Sequence, residues 1–111
     1  EYNLHERTIE SNGILNFCES NNVSILAYSP LDQGKISAFS PKQISVLSSI
    51  GKKYDKSIYQ VILNFLATNS FVIPIMRTTS EKHLIQNIYI QLPTQKFFLN
   101  IEFCSFYFIH K

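Results

Sequence analysis

Two short polar segments, each directly after an apolar run, carry residue types that can bind a flat, phosphorylated cofactor. In the first, residues 28–34 read Tyr-Ser-Pro-Leu-Asp-Gln-Gly. The ring of Tyr28 can stack on a flat ligand, while Ser29 and the backbone amides of the turn at Gln33 and Gly34 can bind phosphate oxygens. The alternative is an ordinary strand-end tyrosine followed by a turn.

The second segment, Arg77-Thr78-Thr79-Ser80, lies at the predicted N-terminus of a helix. That end of a helix supplies N–H groups and a partial positive charge, and an arginine adds a planar fork of donors that matches a phosphate. His83 and Asn87 follow four residues apart, so they share one face of the helix. The alternative is a capped surface helix with a solvated arginine.

Short apolar strands alternate with helices along the chain. The continuous apolar runs at residues 23–28 and 71–75 predict parallel strands that are covered on both faces. Helices are predicted over residues 8–21, 40–54 and 57–68, and from Thr79 or Ser80 onward. Ser-x-x-Gln capping boxes begin two of them, at Ser40 and Ser57. This order predicts an α/β fold with a parallel sheet, whose carboxyl edge carries both polar segments, where such folds bind ligands.

Composition and charge exclude several classes of protein for this chain. The chain has 111 residues, enough for one domain, and a net charge of +2 spread along it, so no nucleic-acid surface is predicted. Cys18 and Cys104 lack metal-ligand spacing and are predicted to be buried or idle thiols of a reducing compartment. No signal peptide begins the sequence, which favours a cytoplasmic protein. His5 and His110 have no partner at ligand spacing and are interpreted as surface residues.

The C-terminal segment is rich in phenylalanine, with five of the nine Phe residues in the last fifteen positions. Residues 97–109 are too few to span a bilayer, which needs about 20 apolar residues. Residues 93–111 are therefore treated as a separate tail. It is interpreted either as a packed helix or strand, or as the product of a shifted or read-through reading frame.

The two polar segments, taken with Glu-Tyr-Asn-Leu at residues 1–4, Ile-Pro at 73–74 and His-Leu-Ile-Gln-Asn at 83–87, resemble the C-terminal part of aldo/keto reductases. These are (β/α)8 barrels that use NADPH to reduce aldehydes and ketones to alcohols. The resemblance implies that residues 1–92 form about three βα units of an incomplete barrel. Residues 1–3, 23–28 and 71–75 would be its sixth, seventh and eighth strands.

The resemblance also implies a role in NADP(H) binding for each residue of the two segments. Tyr28 would lie against the nicotinamide; Ser29, Leu31, Gln33 and Gly34 would line the pyrophosphate; Arg77, Thr78, Thr79 and His83 would hold the adenosine 2′-phosphate; and Gln86 and Asn87 would contact the adenine. Two positions depart from the common pattern, because many members have Arg at the position of His83 and Glu at that of Gln86. No metal site is implied.

The catalytic Asp, Tyr, Lys and His of this family come from earlier strands, so the sequence is assigned no catalytic residue. We expect the chain alone to be an inactive piece of a truncated or interrupted reductase. Two alternatives remain. One is a non-enzymatic interaction module that associates through open sheet edges. The other is one half of a split oxidoreductase, which would act on a small carbonyl substrate once an N-terminal half completes it.

Overall fold

The computed structural model describes residues 1–90, which form an α/β unit with two parallel strands and four α-helices. The order of the elements is α1 (Ile14–Ser20), β1 (Ile25–Ala27), α2 (Pro41–Tyr54), α3 (Ile58–Ala67), β2 (Val72–Pro74) and α4 (Glu81–Ile88). Short 3-10 turns lie at Thr8–Glu10, Asp32–Gly34 and Ile36–Ala38. The predicted Phe-rich tail, Cys104 and His110 lie outside the described residues.

Strands β1 and β2 pair in parallel, as predicted, with Leu26 opposite Ile73. Pro74 is the last residue of β2, where its missing N–H costs no ladder bond. Residues 1–3, expected as a further strand, do not form one. The reason is local: the side-chain Oδ1 of Asn3 accepts hydrogen bonds from the amides of His5 (2.9 Å) and Glu6 (2.8 Å), which turns the chain at that point.

The sheet is covered on one face only, which corrects the expectation of two covered faces. Ala27 is 1% exposed and belongs to the core, whereas its neighbour Leu26 is 63% exposed. Val72 and Ile73 alternate in the same way along β2. The covered face packs against residues of α2 and α3, among them Leu47, Val61, Ile62 and Leu66.

Helices α2 and α3 begin at the predicted capping boxes. Ser40 Oγ accepts from the Gln43 amide, and Gln43 Oε1 accepts from the Ser40 amide (2.8 Å); Ser57 and Gln60 repeat this arrangement. Asp55 ends α2 in the left-handed region, at φ 52°. Two long, regular helices therefore meet at a tight turn beneath the sheet.

The helix predicted over residues 8–21 is two pieces. The 3-10 turn Thr8–Glu10 is separated from α1 by Gly13, which has φ +89° and acts as the N-cap of α1. Asn12 Oδ1 accepts from the Ile14 amide, so an Asn-Gly pair interrupts the apolar periodicity. Cys18 is buried, as expected. Within residues 1–90, no helix has the length and apolar character of a membrane span.

Candidate functional site

A cavity of about 580 Å³ lies between the segment that follows β1 and the segment that leads from β2 into α4. It gathers the predicted site residues with the exception of Tyr28 and Thr79. Those that line it are Ser29, Leu31, Gln33, Gly34, Arg77, Thr78, His83, Gln86 and Asn87. Residues more than forty positions apart in sequence thus come together at the carboxyl edge of the sheet, as a parallel α/β arrangement requires.

The loop after β1 holds an unusual backbone conformation. Ser29, Asp32, Gln33 and Gly34 all have positive φ, at 51°, 43°, 57° and 78°. Three of these are not glycine, so the conformation persists only where other contacts hold it. The amide of Gly34 donates to the carbonyl oxygen of Leu31 (2.8 Å). It is therefore engaged within the turn, contrary to the expectation that it would be free for a phosphate.

The N-terminal segment fixes both ends of this loop. Asn3 Nδ2 donates to the carbonyl oxygen of Ser29 (3.1 Å), and His5 Nδ1 lies 3.3 Å from Oδ2 of Asp32. The imidazole of His5 also stacks on the ring of Phe39, with centroids 4.3 Å apart. The interpretation of His5 as an incidental surface residue is wrong, because tertiary contacts place it against the loop.

The segment before α4 is organised by its own hydroxyl groups. Ser80 is the N-cap, its Oγ accepting from the His83 amide (3.3 Å), and Thr78 Oγ1 accepts from the Ser80 amide (3.1 Å). The predicted cap at Ser80 is confirmed. Arg77 is exposed and lines the cavity wall.

The structure leaves two predicted residues outside the cavity. Tyr28 is 57% exposed and follows the alternation of β1 onto the uncovered face that carries Leu26. Thr79 is exposed and is not among the lining residues. The position of the cavity therefore does not support the predicted stacking of Tyr28 on the cofactor or the predicted contact of Thr79 with the phosphate.

Sequence reasoning missed Tyr59, together with Pro30, Ile75 and Met76, which also line the cavity. Tyr59 lies in the first turn of α3, a helix to which the sequence pattern assigns no site residue. Helical spacing carries the relevant signal, since Tyr59 lies three residues before the buried Ile62 and shares its face.

The lining suits an anionic ligand with a polar ring. Arg77 supplies a permanent positive charge, hydroxyls and side-chain amides supply hydrogen bonds, and Leu31, Ile75 and Met76 supply apolar contact. The residues that line it within the described part of the chain include no Asp or Glu. The geometry is that of a cavity with a mixed polar and apolar lining, which suits it to binding a ligand.

Comparisons with known proteins identify relatives of this chain. The family model described as the Aldo/keto reductase family matches residues 1–97. Aldose reductase C of Dictyostelium discoideum is 35% identical over 71 residues, which are 64% of this chain and 21% of that protein. Aldo-keto reductase AKR2E4 of Bombyx mori is 32% identical over 76 residues, or 24% of its length.

Solved structures extend the likeness to the fold. The thermostable aldo-keto reductase Tm1743, solved with the inhibitor epalrestat, superimposes with a TM-score of 0.78 at 30% identity, over 92% of this chain and 37% of that one. Aldo-keto reductase AKR2E5, solved in complex with NADPH, gives a TM-score of 0.67 at 25% identity, over 93% of this chain and 33% of its own. The chain spans a minor part of each relative. With the family model covering most of its length, the chain belongs to the aldo/keto reductase family.

Proposed function

We propose that this chain forms the C-terminal, NADP(H)-binding part of an aldo/keto reductase barrel. The observation that carries the proposal is the single cavity that unites the Ser29–Gly34 loop with Arg77, Thr78 and the start of α4. A relative of similar fold was solved with NADPH, and the donor set of this cavity fits a phosphorylated dinucleotide.

The family resemblance implies the role of each group, and the chemistry of the side chains is compatible with it. Arg77, with Thr78 and His83, binds the 2′-phosphate that distinguishes NADP from NAD. The Ser29 hydroxyl lies along the pyrophosphate. Gln86 and Asn87 offer amide donors and acceptors to the adenine. When bound, NADPH supplies a hydride to the carbonyl carbon of an aldehyde or ketone.

Reduction of a carbonyl also needs a proton donor held beside the transferred hydride. In the family this donor belongs to a tetrad carried by earlier strands, and no residue of this chain, Tyr28 included, is assigned that role. We propose that the 111-residue chain alone binds the cofactor and does not reduce carbonyls. Consumption of NADPH by this chain, with a panel of aldehydes, would overturn that.

Cofactor fluorescence tests the binding proposal directly. Titration of the full 111-residue chain into NADPH, and in parallel into NADH, reports both dissociation constants. We expect tighter binding of NADPH, because only it carries the phosphate that Arg77 can pair with. Equal affinities would remove the assigned role of Arg77, and no binding of either nucleotide would reject the proposal.

A second candidate function is association with another chain. It is favoured by the uncovered face of the sheet, where Leu26, Ile73 and Ile75 are exposed together. Size-exclusion chromatography with light scattering tests it. A discrete oligomer that Leu26→Asp converts to monomer supports an interaction module, while a monomeric wild-type chain refutes it.

A further inference from the structure

The side chain of Gln60 connects two helices through the two atoms of one amide. Its Oε1 accepts from the Ser57 amide (2.9 Å) and closes the capping box of α3. Its Nε2 donates to the backbone carbonyl oxygens of Gln86 (2.9 Å) and Tyr89 (3.3 Å), at the C-terminal end of α4. Gln60 is 6% exposed, so neither end of the amide is exchanged freely for water.

Helix α4 has few deeply buried apolar contacts to hold it in place. None of its residues, all within the described part of the chain, is buried. The apolar stripe that normally docks a surface helix, here Leu84, Ile85 and Ile88, is exposed. Apolar packing is therefore incomplete along α4, and the polar contacts from α3 add to what holds the helix in place.

Other side chains near Gln60 complete the attachment. Lys56 Nζ donates to the carbonyl oxygen of Tyr89 (3.0 Å), and Asn64 Nδ2 donates to that of Ile90 (2.9 Å). The last carbonyl groups of a helix have no partner within it, and α3 with the turn before it supplies donors for these. Gln60 is the buried member of this set.

The residue that Gln60 holds is itself part of the site. Gln86 lines the NADP(H) cavity on one side and, on the other, a second cavity of about 440 Å³ against the α2–α3 turn. We propose that Gln60 is a positioning residue: its amide donor sets α4 so that His83, Gln86 and Asn87 line the cofactor cavity. The ligand in this inference rests on the proposed function, whereas the helix contact does not.

Gln60→Glu isolates the donor. The substitution keeps the acceptor that closes the capping box of α3, and it removes both donated bonds and places a carboxylate against carbonyl oxygens. Gln43→Glu is the matched control, because Gln43 has the same place in the box of α2, the same 6% exposure and an equivalent bond to the Ser40 amide (2.8 Å). Asn64→Asp provides a second, partly exposed donor deletion.

Two measurements are made on the full chain, NADPH affinity and amide hydrogen exchange. We expect Gln60→Glu to weaken NADPH binding at least tenfold, equivalent to about 1.4 kcal/mol, and Gln43→Glu to leave it within about twofold. The amides of α4 should lose protection in Gln60→Glu while those of α2 and α3 keep theirs. Asn64→Asp should move both readouts in the same direction by less.

The outcomes distinguish the positioning role of Gln60 from the proposed binding of NADP(H). Equal effects of the Gln60 and Gln43 substitutions, or unchanged protection of α4 in both Gln60→Glu and Asn64→Asp, would overturn the positioning role. A selective loss of α4 protection in a chain that never binds NADPH would support the role of Gln60 and reject the proposed function.

Discussion

His5 Nδ1 lies 3.3 Å from Oδ2 of Asp32, and this contact joins the N-terminal segment to the strained loop of the candidate site. Both side chains are largely buried, with 19% and 25% exposed, and Lys35 Nζ lies 3.6 Å from the other oxygen of the same carboxylate. Asp32 has φ +43°, a conformation that needs external support. His5 provides that support from outside the cavity.

Replacement of His5 by Phe and by Ala should separate its two contacts. Phe keeps a ring against Phe39 and loses the Asp32 contact, and Ala loses both. We expect His5→Phe to weaken NADPH binding by up to about fivefold, or about 1 kcal/mol, with little loss of thermal stability. Unchanged NADPH binding in both variants would reject a supporting role for His5.

Gly51→Ala should destabilise the protein, although alanine is the better helix former by about 1 kcal/mol. A Cβ at Gly51 would collide with the backbone carbonyl oxygen of Lys56 in the turn between α2 and α3. The Lys56 amide donates to the Gly51 carbonyl there (2.8 Å), so the turn cannot move away without losing that bond. We expect a loss of about 1–3 kcal/mol in urea unfolding.

Ser45→Ala, at an exposed position of the same helix, is the control for Gly51→Ala. It should be neutral or slightly stabilising, because it improves helix propensity without a collision. Stabilisation by both substitutions would mean that the turn has room for a methyl group.

Local signals explain which parts of this fold are readable from sequence. The boxes Ser40–Gln43 and Ser57–Gln60 involve residues three apart, so their pattern suffices to place two helix starts. The apolar periodicity continues across Gly13 and therefore predicts one helix, whereas the backbone of Gly13 begins a new one. The exposure of Leu26 depends on what covers the sheet, which a continuous apolar run does not specify.

The residues of the candidate site also fall into those that sequence patterns predict and those that depend on tertiary contacts. Strand ends and a helix cap predict that Ser29 and Arg77 meet, because parallel topology alone brings them together. Tyr28 is 57% exposed and lies outside the lining, whereas Tyr59 lines the cavity from the first turn of α3. The support from His5 arises from tertiary contact between distant segments, which no local motif encodes.

Tyr2 should make stability fall at alkaline pH. The pKa of Tyr2 lies well above the ordinary value near 10, mainly because the side chain is buried. The hydrogen bond that its hydroxyl donates to Glu10 Oε1 (2.6 Å) raises the pKa further. The unfolded chain therefore ionises before the folded one. The stabilisation is complete below about pH 10 and is lost as pH rises towards the folded pKa. Tyr2→Phe should flatten the decline between pH 9 and 11 in thermal denaturation. An unchanged decline would assign it to other groups.

Arg77→Met should separate the two nicotinamide cofactors. Arg77 lines the cavity beside Thr78 and His83, and its guanidinium is the fixed positive charge of that group. Loss of charge-assisted hydrogen bonds of about 1.5–3 kcal/mol predicts about ten- to a hundredfold weaker binding of NADPH. NADH, which lacks the 2′-phosphate, should bind with nearly unchanged affinity.

Lys82→Met is the control for Arg77→Met, because it removes the same charge from an exposed position of α4 outside the lining. It should leave the ratio of the two affinities unaltered. Parallel losses for NADPH and NADH in Arg77→Met would instead place Arg77 on the part that both cofactors share, the pyrophosphate.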